Sequence, residues 1–147
     1  MNDWQKRFAR KLETVQSAAR DQFEEKADAL LTPIFKEFAE FVRQYVVQAT
    51  TPLTDFGIRT FRFAMSEDVY LLMTFRHMGF EQCEGQVEYF LPGSHSIPET
   101  RETVTLSEVN ANWCRRIFEK ALDQFLDTLI DSMGGVKELV GAGASAN

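Results

Sequence analysis

Cysteine and histidine are both scarce in this chain, two of each: Cys83 and Cys114, His77 and His95. The cysteines form no C-x-x-C pair, which excludes a zinc ribbon or a thioredoxin-like redox motif. No apolar run follows the basic residues of "MNDWQKRF", so no secretory leader is expected. Free thiols and a cytoplasmic location follow as expectations. No run of eighteen apolar residues occurs, so no transmembrane segment is expected. Walker A, HExxH and G-x-S-x-G motifs are all missing, and the glycines of "GAGASAN" have no helix after them to cradle a phosphate.

Positive charge is also in short supply. Sixteen Lys and Arg stand against 22 Asp and Glu, a net charge of −6. Such a balance repels a phosphate backbone, so no nucleic-acid partner is expected. The deficit is local: residues 1–50 carry eight of each sign, residues 51–106 four basic and eight acidic, residues 107–147 four basic and six acidic.

What is abundant is phenylalanine, thirteen residues in 147, within a hydrophobic fraction of 44%. A chain of this length can bury one real core, and the expectation is a single domain over residues 1–135 with a mobile tail at 136–147.

Apolar or small residues recur from the start as Trp4, Phe8, Leu12, Val15, Ala19, Phe23, Ala27, Leu30, Ile34, Phe38, Phe41 and Tyr45. Steps of three and four are a helical period. Pro33, preceded by a possible cap at Thr32, predicts a kink or break, with helices over about 3–31 and 33–48. A helix over residues 3–31 would be roughly 43 Å long, while a domain of this size is only about 40 Å across. The narrow stripe, with alanines at 18, 19, 27 and 29, suits close helix pairing. Either the C-terminal helix clasps the first one, or its N-terminal half meets another chain.

The "TTPLTDFG" stretch, residues 50–57, reads as turns. Alternating patterns then predict strands over about 57–65, 69–78, 86–91 and 99–106, joined at hairpin spacing into an antiparallel meander with the second strand central. A helix over about 108–133 ends at Gly134-Gly135. The fold class is therefore α+β: a long N-terminal helix, a four-stranded meander, and a C-terminal helix packed on the sheet.

Residues 77–99, "HMGFEQCEGQVEYFLPGSHSIPE", gather both histidines and Cys83. His77 and Cys83 are six apart, Gly79 and Gly85 suggest bends between and after them, and His95 sits in a loop between two prolines, a poor pattern for a metal or a nucleophile with its base. No catalytic, cofactor-binding or metal-ligating residue is assigned, and a non-enzymatic protein is expected.

Two surfaces suggest contact with partners. Lys6, Arg7, Arg10 and Lys11 lie opposite the Trp4, Phe8, Leu12 and Val15 stripe, while Glu119, Asp123, Asp127 and Asp131 form an acidic stripe on the last helix. The basic set and the later residues of the acidic stripe sit at the unfavourable ends of their helix dipoles. The two would meet if the start of the first helix ran beside the end of the last, within one chain or across a dimer. The expectation is an adaptor- or chaperone-like homodimer acting through the apolar stripe, with a second protein as a further partner. Contact of the N-terminal helix with a membrane surface is the alternative for that stripe. The alternative for the whole protein is a ligand-binding protein or minor enzyme with an aromatic pocket between helix and sheet, lined by Phe61, Phe63, Phe75, Tyr89 and Trp113, with His77 or Arg59 as its polar group.

Overall fold

The computed structural model describes residues 2–92 and 99–134; His95 and the C-terminal tail lie outside them. The order is α1 (Asp3–Lys26), a π-helical turn (Ala27–Leu31), α2 (Thr32–Arg43), β1 (Gln48–Asp55), β2 (Ile58–Ala64), β3 (Tyr70–Gly79), β4 (Gln82–Phe90), β5 (Glu99–Thr105), a 3₁₀ turn (Leu106–Glu108) and α3 (Ala111–Ser132). This is an α+β fold with one antiparallel sheet in the order β1-β2-β3-β4-β5.

α1 starts in a capping box. The Asn2 Oδ1 accepts from the Gln5 amide at 2.8 Å, and the Gln5 side chain accepts from the Asn2 amide at 3.0 Å. The break expected at Pro33 is not there. Ala27 (φ −62°, ψ −45°) and Thr32 (φ −65°, ψ −45°) are both helical, and α1 passes into α2 through the π turn. Proline removes one helical donor and crowds the carbonyl four residues back. Here the wider turn comes just before it, with the Thr32 amide bonded to the Ala27 carbonyl, and Pro33 begins the next α segment, where it is tolerated.

The π turn also keeps a face in register. The buried residues Ala19, Phe23, Ala27, Leu31, Phe35 and Ala39 are all four apart. Around a 3.6-residue helix such a row drifts by about 40° per step. The π turn takes part of that drift back, so both halves of the rod present the row to the sheet.

α2 stops at Arg43, short of the expected residue 48, in a Schellman-type end. The Val47 amide reaches the Val42 carbonyl and the Val46 amide the Arg43 carbonyl. Val46 takes the left-handed position, φ 62°.

The sheet has five strands and not four. β1 was hidden in the segment read as turns, because it is an edge strand buried only at Ala49 and so shows no alternation. Pro52 falls in its irregularity between Thr50 and Leu53, a place where an edge strand can hold a proline. β3 is central, between β2 and β4. β4 begins at Gln82, earlier than the expected 86, because Gly85 is no bend. It lies within the strand where α3 comes close, so that an added Cβ would stand 2.9 Å from Ile117 Cδ1.

The helices cover one face of the sheet. Phe61, Phe63, Leu71, Met73, Phe75, Cys83, Val87 and Tyr89 meet Phe23, Leu31 and Phe35 from the long rod and Trp113, Phe118 and Phe125 from α3. α3, capped by Asn110 on the Trp113 amide, runs in the same direction as the rod. Lys26 Nζ donates to the Val109 carbonyl at 2.9 Å, Arg115 pairs with Glu37, and Phe38 stacks on Phe118 at 5.5 Å. The opposite sheet face is polar and aromatic. Arg62 lies over Tyr70, which stacks on Phe90 at 4.4 Å, and Arg76 bonds Gln86.

Candidate interaction surface

Burial along α1 begins at Ala19. Every residue from 3 to 18 is exposed, so the first part of the helix is an arm that projects from the body. Its apolar stripe is uncovered: Trp4 is 62% exposed, Phe8 53%, Leu12 42% and Val15 44%. Trp4 and Phe8 stack at 5.5 Å. Lys6, Arg7, Arg10 and Lys11 share this arm, and Arg7, Arg10 and Lys11 line a shallow surface beside Val15. A short isolated helix is marginal in water because its first turn is costly to form. This one extends a helix already anchored in the core, and its free end is capped.

A second uncovered apolar surface lies at the far end of the rod. Phe38, Phe41 and Tyr45 form one wall of a groove, Leu122 and Leu126 of α3 the other, and Phe63 and Met65 its floor, enclosing about 430 Å³. Phe41, Tyr45, Met65 and Leu126 are all exposed. The charged residues of the groove are Glu119 and Asp123, both on the α3 wall, and the exposed Asp127 and Asp131 continue the row toward the helix end.

The parallel course of α3 corrects one expectation. α3 begins beside Lys26 and runs away from the arm, so Lys6 and Arg10 are separated from Asp123 and Asp127 by roughly 50 Å of helix. The basic and acidic stripes cannot meet within one chain, and α3 does not clasp the arm.

Of the aromatic residues proposed as a pocket, Phe61, Phe75, Tyr89 and Trp113 pack in the core, while Phe63 lies both in the core and on the floor of the groove. Phe61 and Phe75 meet edge to face at 5.8 Å, Phe75 and Trp113 at 5.9 Å, and Phe118 is in ring contact with Phe61, Phe63 and Phe75. Tyr89 stacks on Phe125 and its hydroxyl donates to Gln124 at 3.0 Å. Thirteen phenylalanines signal aromatic bulk, but composition does not say whether that bulk leaves space.

His77 and Cys83 are cross-strand partners on β3 and β4. The His77 Nε2 lies 2.7 Å from the Phe80 carbonyl, and its ring packs at 6.0 Å from Phe23. Burial pushes the Cys83 thiol up to about 12, reinforced by Cys114 and Glu84, and burial pushes Cys114 up to about 11 against the pull of Lys26 and Arg115. Both thiols are free and stay protonated at neutral pH, the reverse of what a nucleophile needs.

Arg59 plays a structural part that strand parity alone did not reveal. Its guanidinium is buried and donates to both Glu24 carboxylate oxygens at 3.1 and 3.0 Å, to Asp28 at 3.2 Å, and to the Asp55 and Ile58 carbonyls. Burial lowers its pKa, yet the bonds and charges of Glu24 and Asp28 outweigh this and leave it raised. Glu24 also accepts from the Gly57 amide at 3.2 Å, so this cluster clamps the root of the arm to the β1–β2 turn. Among the described residues no helix is long and apolar enough to cross a membrane. No protein-family model matches the chain, and neither do any curated protein or solved structure.

Proposed function

We propose that this protein is a non-enzymatic interaction module, adaptor- or chaperone-like, that works in the cytoplasm as a homodimer through the apolar stripe of its long helix. The observation that carries the reading is the arm itself. Trp4, Phe8, Leu12 and Val15 are all exposed on a capped helix rooted in the core. At about 25 cal/mol per Å² of apolar surface removed from water, covering them on a partner is the largest gain this surface offers. A helix with one apolar face laid against a complementary surface is a recurring mode of recognition. Cys83 and Cys114 are buried and protonated, which supports reading the body as a scaffold for the arm.

Light scattering on the full chain and on a variant lacking residues 2–15 tests this directly. At tens of micromolar the full chain is expected at twice its monomer mass and the truncated chain at its monomer mass. Monomeric full-length protein at every concentration up to that range overturns the reading.

A further inference from the structure

We propose that the groove between α2 and α3 is the receptor for the arm of a second copy, so that the homodimer is an exchange of arms. The inference rests on the homodimer reading and names the surface that the stripe meets.

Length, polarity and charge all match. Trp4, Phe8 and Leu12 lie on one side of the arm at four-residue steps, a span of roughly 12 Å. The groove walls, Phe38 to Tyr45 along α2 and its C-terminal end and Glu119 to Leu126 on α3, each span roughly 10 Å. Laid antiparallel to α2, the arm brings Trp4 over Tyr45 and Phe8 over Phe41 of the other chain. A two-fold axis then generates the reciprocal contact without further assumption, since the arm and the groove lie at opposite ends of one rod. Such a contact closes on itself as a dimer rather than growing into a filament. Each copy of it covers the exposed part of an indole and a phenyl ring, 62% and 53% of each, roughly half of the ~150–250 Å² such a side chain can bury; with Leu12, Val15 and the facing groove walls, the two copies build toward the ~800 Å² per partner of a stable interface.

Charge selects this groove. Arg7, Arg10 and Lys11, expected from the sequence to lie opposite the stripe, line a surface that reaches its edge at Val15, and the carboxylates Glu119 and Asp123 line only the α3 wall. In the antiparallel pairing the basic, positive end of the α1 dipole lies beside the acidic, negative end of the α3 dipole. Each misplaced set of charges is relieved by the other. Within one chain the two sets lie too far apart to relieve each other.

Two experiments on the full chain test the assignment. In the first, a Phe8→Cys chain is mixed with a Phe41→Cys chain under oxidation. The native thiols are buried, and residues 8 and 41 of one chain are separated by roughly 50 Å of helix. A disulfide between the two different chains, absent when either is oxidised alone, is the expected result. In the second, Arg7, Arg10 and Lys11 are changed to Glu in one chain and Glu119, Asp123 and Asp127 to Lys in another. Each variant alone is expected to dimerise roughly 100-fold more weakly, and an equimolar mixture to recover, because a mixed dimer restores both contacts. Disulfides joining Phe8→Cys chains to each other, with dimerisation unaffected by groove reversal, overturn the groove assignment while the homodimer stands. A chain that stays monomeric, whether or not its arm binds anionic phosphatidylserine vesicles, overturns both.

Discussion

Val46 is a β-branched residue held at φ 62°, at the position after α2 where glycine is usual, and its side chain is 88% exposed. It gains no packing there in return for the strain. Val46→Gly is expected to stabilise the fold by about 1 kcal/mol, seen as a higher midpoint in urea unfolding with an unchanged slope. The two thiols make a prediction with the opposite sign. Burial raises Cys83 from 9.0 to about 12 and Cys114 from 9.0 to about 11, so above pH 9 the unfolded chain has released protons that the folded chain still holds. Stability is therefore complete below about pH 9 and falls as the pH rises, through about 11 for Cys114 and about 12 for Cys83. Denaturation midpoints between pH 8 and 10.5 check this, with a Cys83→Ala, Cys114→Ala chain expected to show a shallower decline.

The long rod is one element put to two uses. From Ala19 onward its apolar row faces the sheet, and the same row before Ala19 faces solvent. What holds the boundary is the Arg59 cluster, which ties Glu24 and Asp28 to the β1–β2 turn. Removing one partner of a buried ion pair leaves the other charge uncompensated, at a cost of about 3 kcal/mol. Arg59→Ala is expected to lose that much by chemical denaturation, and faster amide hydrogen exchange at residues 20–28 and 55–58 would localise the loss. A loss below 1 kcal/mol would show that α1 is held by its apolar row alone.

Across the whole molecule, a net charge of −6 conceals a basic end on the rod and an acidic end on α3. If those ends pair between chains, salt weakens the dimer, because exposed charges are screened within about 10 Å at 0.1 M ionic strength. Sedimentation equilibrium from 50 to 500 mM sodium chloride is expected to show several-fold weaker dimerisation at the higher concentration. A dimer that tightens with salt would mean that apolar contact alone holds it, and would remove the charge argument for the groove.

Much of this architecture was legible in the chain because it is local. The three- and four-residue spacing from Trp4 to Tyr45 sets a long helix, the alternation through "FRFAM" and "VYLLMTF" sets paired strands, and the apolar period from Val109 to Leu129 sets the last helix, whose cap at Asn110 places its start three residues later than the expected 108. β1 was not legible, since an exposed edge strand has no buried face to leave a pattern. Nor was the passage through Pro33, which depends on a π turn that only the match between helix row and sheet makes favourable. The sequence by itself determined that one helix carries more apolar stripe than a small domain can cover, because period and length are properties of the chain. Only the tertiary structure decided which half of that stripe is buried, that Phe61, Phe75 and Trp113 pack against one another in the core, and that α3 runs parallel to the rod. Each of these depends on which surfaces are brought together in space. The last is what places the basic arm and the acidic groove at opposite ends of one molecule, where they cannot meet each other.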